Sequence, residues 1–274
     1  MVGNDMAFTR DDVLTAARRS LTAAHAHDRD GWIGLFTDDG VVEDPVGSTP
    51  HRGHTAIARF YDTFIGPRTV DFQPHVDIVS GTTVVRDLTL QITMSSALTL
   101  QVPVFIRYDL RAVDGALRIA ALRAFWELPA MVGQFVRTGL AALPVGAALG
   151  RTMLANQGVV GSLGFAGGFF SLGAAGRKLF AGFLDAACTG DEVGVHRATA
   201  STTLVRGDSE PLTASELTAE MSGAQWDKQI SSGRSVAARV ERAGHSGVVF
   251  GDVRGRVGHE RTALSRLCWF TDET

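Results

Sequence analysis

Cysteine is nearly absent from this 274-residue chain, which holds only Cys188 and Cys268. Neither sits in a Cys-x-x-Cys pair or at a Cys/His metal spacing, which excludes a zinc ribbon or a disulfide framework and leaves two buried, reduced core thiols. No basic tract occurs and the formal charge is −3, so no nucleic-acid partner is expected. The opening residues include Asp5, Arg10, Asp11 and Asp12 and no apolar signal-peptide run, which leads us to expect a cytoplasmic protein. Acid is missing altogether from Leu128 to Leu184, where Arg137, Arg151, Arg177 and Lys178 are the only charges. What remains is ordinary for a globular protein: 45% hydrophobic and 20% charged residues. The length suits two domains. We read residues 7–128 as one domain, 129–173 as an apolar Gly/Ala-rich helical connector, and 174–274 as a second domain.

The first domain opens with a helix that Thr9 can cap, with Asp12 three residues on, and whose buried face carries Val13, Leu14, Ala17, Leu21 and Ala24. Asp28 caps a short second helix holding Trp32, Ile33, Leu35 and Phe36. A brief strand over Gly40–Asp44 ends at Pro45, and a third helix carries Ile57, Phe60, Tyr61 and Phe64. From about Val70 to Trp126 the chain reads as long strands turned at Ser80-Gly81, Ser95-Ser96 and Asp114-Gly115. Three helices followed by antiparallel strands is an α+β layout with the helices on one face of the sheet.

The run Val42-Glu43-Asp44-Pro45-Val46-Gly47-Ser48, preceded by Asp30-Gly31, Leu35-Phe36 and Asp38-Asp39, is followed by Pro50, Arg52-Gly53, Ala56-Ile57 and Phe60-Tyr61. Pro103, Arg123-Ala124 and Trp126 extend the pattern. This resembles the bacterial ketosteroid isomerases of the nuclear-transport-factor-2-like (SnoaL-like, cystatin-like) superfamily, over about 120 residues counted on the sequence. The resemblance implies a cone-shaped domain around a hydrophobic cavity, with no cofactor and no metal. A carboxylate there moves a proton from the carbon α to a ketone, and Asp44 falls on that general-base position. Ketosteroid isomerase is itself a standard illustration of pKa tuning, with a tyrosine and a protonated aspartate as oxyanion donors.

Aligned without gaps, those two donors fall on Ser20 and Phe105, neither of which replaces them in kind. Loss of one such donor typically costs about 2.7–4 kcal/mol of transition-state stabilisation. Tyr61, Trp126 and Asp87 are the candidate substitutes beside Asp44: Tyr61 by its phenol, Trp126 by its indole N–H, and Asp87 if its strand Val84–Met94 turns it to the cavity with Thr89 and Gln91. Ser20, Phe60, Phe105, Leu122 and Trp126 complete the expected ligand-binding wall. Tyr61 and Trp126 also read as plain packing aromatics, and a one-residue register slip would turn Asp87 outwards. His51, His54 and His75 lack metal-ligand spacing and are expected on exposed loops.

Residues from about 174 repeat the order of elements. A helix with Phe180, Phe183 and Leu184 passes through Thr189-Gly190-Asp191 into a short helix. Thr202–Arg206 follows as a strand, then a helix from Thr213, then strands over Ser235–Arg242, Gly247–Arg256 and Arg261–Phe270. Leu204, Val205 or Arg206 takes the place of Asp44, so the second copy is catalytically blank. The expectation is two cone-shaped domains related by a pseudo-twofold, the second acting as an intrachain dimer partner. The connector reads as buried helices, a lid over the cavity, or a weak membrane contact. Three functions compete: steroid-like ketone isomerisation through Asp44, non-catalytic carriage of a steroid- or polyketide-like ligand, and epoxide opening or polyketide cyclisation by paired acids.

Overall fold

A computed structural model describes residues 8–96, 98–137, 146–153, 155–156, 172–255 and 262–272. Helix α1 (Arg10–His25) starts where Thr9 accepts from the Asp12 amide and Asp12 accepts from Thr9, a reciprocal capping box. Helix α2 (Arg29–Gly34) follows after one turn, then strand β1 (Phe36–Glu43), a short β2 (His51–Arg52) and helix α3 (Gly53–Phe60). A π-helical turn, Tyr61–Ile65, continues α3. Four long strands complete the domain: β3 (Thr69–Ser80), β4 (Thr83–Ser95), β5 (Leu98–Val113) and β6 (Ala116–Phe125). The sheet order is β2-β1-β6-β5-β4-β3. Hairpins make β3 to β6 antiparallel, but β1 runs parallel to β6. Those two strands are joined by most of the domain, so no tight turn dictates their direction.

The second domain repeats this order with α5 (Gly173–Thr189), α6 (Glu192–Thr199), β7 (Thr203–Arg206), β8 (Glu210–Pro211), α7 (Ala214–Met221), β9 (Gln225–Ser232), β10 (Ser235–Arg242), β11 (His245–Arg254) and β12 (Ala263–Thr271). Its sheet order, β8-β7-β12-β11-β10-β9, is the same, and β7 again runs parallel to β12. Local chemistry repeats too. Asp28 accepts from the Gly31 amide and Asp191 from the Gly194 amide, each at 2.9 Å. A Cβ on Gly31 would lie 2.0 Å from Asp28 Oδ2, and one on Gly194 2.4 Å from Asp191 Oδ2. Both caps therefore require glycine at the third helical position. Strand β9 has no counterpart in the sequence reading: Trp226, Lys228 and Gln229 give it no clean apolar alternation.

Three apolar layers hold the molecule together. Helices pack on the first sheet through residues such as Val13, Ala17, Trp32, Phe36 and Leu88, and on the second through Phe180, Phe183, Leu217 and Val249. Between the two sheets lies a third layer built from Ile78, Val85, Phe105 and Phe125 of the first and Phe250, Cys268 and Phe270 of the second. Successive residues of a strand point to opposite faces, so each long strand serves one helix layer and the shared layer alternately. Cys188 and Cys268 are both buried and unbridged.

The connector begins as helix α4 (Leu128–Arg137), and residues 146–153 and 155–156 are helical. The expectation of helix over 138–145 and 157–171 falls outside the described residues. Among the described residues, no helix is long and apolar enough to cross a membrane.

Candidate active site

Between the helices and the sheet of the first domain lies a cavity of about 150 Å³. Its wall is mostly apolar: Trp32, Phe60, Phe64, Leu90, Ile92 and Leu122 contribute, and Met131, Phe135 and Leu149 close it from the connector. Among the described residues, five polar side chains interrupt the wall, Ser20, Asp44, Arg68, Tyr108 and Trp126, and Asp44 is the only acid of the five.

Asp44 follows directly on β1. The parallel register Val42↔Leu122 and Glu43↔Arg123 delivers it beside the end of β6. There the indole Nε1 of Trp126 donates to Asp44 Oδ1 at 2.5 Å. The loop beyond is pinned at two points, where Gly47 N donates to Glu43 Oε1 and Val46 N to the Ala124 carbonyl, both at 2.8 Å. By surface area Asp44 is part-exposed, because it faces a cavity, yet its carboxyl is surrounded by protein. Desolvation pushes its pKa up to about 6, against the opposing pull of the Trp126 hydrogen bond. A carboxylate poised there is ionised at neutral pH and remains basic enough to accept a proton from carbon.

Ser20 faces the cavity from α1, fully buried, as its alignment position implied. Its Oγ donates to the Ala17 carbonyl at 3.1 Å and lies 2.8 Å from the hydroxyl of Tyr108. With the serine proton on that carbonyl, the phenol is the donor of the second bond. Tyr108 comes from β5, on the far wall, and is completely buried. Desolvation raises its pKa, opposed by the nearby Arg86 charge, so the phenol keeps its proton. A tyrosine hydroxyl thus reaches the same corner from the sheet, where the resemblance alone left only a serine on the helix. Sequence reading missed it. The signal was present: this chain has only two tyrosines, and Tyr108 shares strand parity with Val102, Val104 and Ile106.

Phe60, Leu122 and Trp126 line the cavity as expected. Three other assignments require correction. Phe105 is fully buried in the layer between the sheets, 6.4 Å from the ring of Phe250, because the cavity face of β5 belongs to the even-numbered residues beside it. Asp87 pairs with Phe105 across the ladder and shares its face. It is also fully buried, but its carboxylate is held by Lys228 and by Arg239 NH1 (3.2 Å) of the second domain. The register slip that would turn Asp87 away from the cavity is the arrangement observed. Tyr61 packs in the helix core with Trp32, ring centroids 5.4 Å apart, and is not part of the wall around Asp44. Its buried hydroxyl has no partner among the described residues. His51 is on β2 rather than a loop, its ring 5.1 Å from that of Phe60, and burial lowers its pKa.

Comparison with known proteins gives a family-model match over residues 17–121, to the SnoaL-like domain. The first domain thus contains a SnoaL-like domain. A Δ5-3-ketosteroid isomerase from Mycobacterium sp. is 34% identical over 44% of this chain and 96% of its own, with a TM-score of 0.39. A Mycobacterium tuberculosis protein in complex with estradiol-17beta-hemisuccinate is 27% identical, covering 43% of this chain and 95% of its own, TM-score 0.39. An epoxide hydrolase of the same organism, described as LEH-like, is 25% identical over 50% of this chain and 97% of its own, TM-score 0.41. The matched model begins within α1 and ends in β6, so it takes in Ser20, Asp44, Arg68 and Tyr108 of the SnoaL-like domain but stops before Trp126.

Proposed function

We propose that the SnoaL-like domain binds a rigid, apolar, steroid-like ketone and transfers an α-proton through Asp44. The observation that carries this reading is a carboxylate, with its pKa pushed up to about 6, that is the only acid among the described residues of a mostly apolar cavity wall. The ionised carboxylate takes the proton from the carbon between the ketone and an isolated double bond. The C–H electrons move into a dienolate, whose oxygen gains charge. Asp44, now neutral, returns the proton to the γ-carbon and the conjugated enone forms. Apolar walls favour the step because they leave the base poorly solvated and exclude competing water.

Tyr108 is the donor we assign to the dienolate oxygen. Its proton, now directed at Ser20, turns to the ligand oxygen when one arrives, and Ser20 remains as its second-best acceptor. A donor so placed contributes most when charge develops on the oxygen. The epoxide-opening reading requires a second acid in the same cavity, and Asp87 is committed to Lys228 and Arg239 instead. The present cavity volume corresponds to a small aromatic ligand. A four-ring ligand therefore enters by displacing the side chains of Met131, Phe135 and Leu149, which gives the connector the role of a lid.

The test follows enone absorbance with a β,γ-unsaturated ketosteroid. Asp44→Asn should lower turnover by about a hundred- to ten-thousandfold, the usual weight of a general base. Tyr108→Phe should lower it by roughly a hundred- to a thousandfold, as for a lost oxyanion donor. Turnover unaffected by Asp44→Asn would remove the base assignment. Tight steroid binding with no turnover in the wild type would leave the domain a carrier.

A further inference from the structure

Among the described residues, Arg68 is the only cation in the cavity wall, and no acidic side chain neutralises it. It follows the π-helical turn Tyr61–Ile65 and is only 9% exposed. The guanidinium is steadied by neutral acceptors: NH1 donates to the Thr63 carbonyl at 2.7 Å, and Nε lies 3.1 Å from Met94 Sδ. The other buried arginine among the described residues, Arg86, has Asp77 at 2.7 Å. Burying a charge without a counter-ion is costly, and a guanidinium fork is shaped to take a carboxylate. Burial lowers the pKa of Arg68, and no neighbouring carboxylate opposes it.

We propose that Arg68 receives a carboxylate carried by the ligand at the end remote from its ketone. This deepens, and rests on, the reading of the cavity as a site for a rigid apolar ligand. Strand register supports the separation. Phe125 pairs with Phe105, which puts Trp126 and Asp44 near Val104, whereas Met94, in contact with Arg68, lies by the Leu98–Thr99 end of β5. At the usual rise per residue the two ends are roughly 20 Å apart along that strand, less in a straight line because the sheet curves. The class implied is an amphipathic acid: a long apolar body, a carbonyl at one end and a carboxylate at the other.

Estradiol hemisuccinate, its methyl ester and free estradiol form a matched set for calorimetric titration of the full chain. The acid and ester differ in charge and hardly in shape. Wild type should bind the acid about tenfold or more tightly than the ester, the worth of a charge-assisted hydrogen bond. Arg68→Met should make the acid and the ester bind alike, and the ratio of the two affinities, rather than either affinity alone, is the readout. Equal binding of acid and ester by the wild type overturns the assignment, and so does a preference that survives Arg68→Met. If free estradiol binds and the acid shows no preference, the apolar-ligand reading stands and Arg68 alone is misassigned. If estradiol itself does not bind, both fall together.

Discussion

The two domains share one topology and differ in what their cores contain. In the first, helices and sheet enclose a cavity. In the second, Phe180, Phe183, Leu184, Leu217 and Met221, each no more than 1% exposed, pack between helices and sheet, and a hollow of different lining is bordered by Glu220, Val240, Arg242, Trp269 and Thr271. Each domain has a tryptophan near the end of its last cavity-side strand that donates to a carboxylate, Trp126 to Asp44 and Trp269 to Glu220 Oε2 at 2.8 Å. Glu220 is on a helix, is 30% exposed and is paired with Arg206. Among the described residues, no cation pairs with Asp44. Counting back from each tryptophan, Leu204, which pairs with Leu267, stands where Asp44 stands beside Ala124. The same indole–carboxylate contact is thus a strut when a guanidinium shares the carboxylate, and a candidate base when the carboxylate faces an apolar hollow.

The second sheet packs on the outer face of the first, and the most vulnerable point of that contact is the charge cluster across the sheets. Lys228, in a left-handed backbone conformation (φ 45°), reaches Asp87 and the carbonyls of Leu88 (3.0 Å) and Val104 (3.1 Å). Its Nζ also sits 4.6 Å above the Phe105 ring. Asp87→Asn leaves the Lys228 ammonium buried with neutral partners only, and should destabilise the chain by about 3–5 kcal/mol in denaturant melts. Asp87→Asn with Lys228→Met should recover most of that loss, because removing both charges also removes the desolvation penalty. A melt of the single variant within about 0.5 kcal/mol of wild type, the usual range for surface changes, would show that the sheets do not depend on this cluster.

Most of the scaffold was legible because its signals are local. The Thr9–Asp12 box, the Asp28 and Asp191 caps and the contiguous Val42–Ser48 run each specify a turn or a helix start without distant help. The cavity wall was legible where it rests on that run, at Asp44, and where strand parity points inward, at Leu122 and Trp126. It failed on β4 and β5, where both faces are buried. A strand between two cores carries apolar residues on both sides, as Val84, Val85, Leu88, Val104 and Phe105 do, so alternation no longer tells cavity from interface. One residue of ambiguity moved Asp87 and Phe105 into the cavity on paper and hid Tyr108. Arg68 was missed for a different reason: nothing in a sequence marks an arginine after a helix as part of a cavity wall, and the connector, for which a lid was one of three readings, carried no signal singling out Met131, Phe135 and Leu149.

The hollow should also show in the pH dependence of stability. Asp44 titrates at about 6 in the folded chain, against about 3.9 for a free aspartate. The native state therefore binds a proton that the unfolded state has released between those values, and stability falls as pH rises through that window. Ionising this carboxyl costs up to about 3 kcal/mol by pH 7, an upper figure because the group is not wholly sealed from solvent. Asp44→Asn should thus melt later than wild type at pH 8 and at nearly the same point at pH 4. Turnover runs the other way, rising with pH to a plateau above about 6 as the base ionises. A variant that is no more stable than wild type at pH 8 would mean that Asp44 is better solvated than its surroundings imply.

The smallest expected effect is the most pointed control on the comparison. Glu220→Gln keeps an oxygen for the Trp269 indole and removes only the charge shared with Arg206, which retains Glu210 as a partner. Glu220 and Arg206 are each about one-third exposed, so the pair is screened and its loss should cost no more than about 1 kcal/mol. Ketosteroid turnover should stay at the wild-type rate across the pH range, because no proton-transfer step uses the second domain. A fall in turnover with the melt unchanged would mean that Glu220 contributes to a reaction, and the hollow it borders with Trp269 would become a second candidate site. Equal turnover with a lost melt would instead assign more stability to this strut than an exposed ion pair supplies. The two carboxylates are then told apart by what surrounds them: replacing one changes chemistry and its pH profile, and replacing the other changes neither.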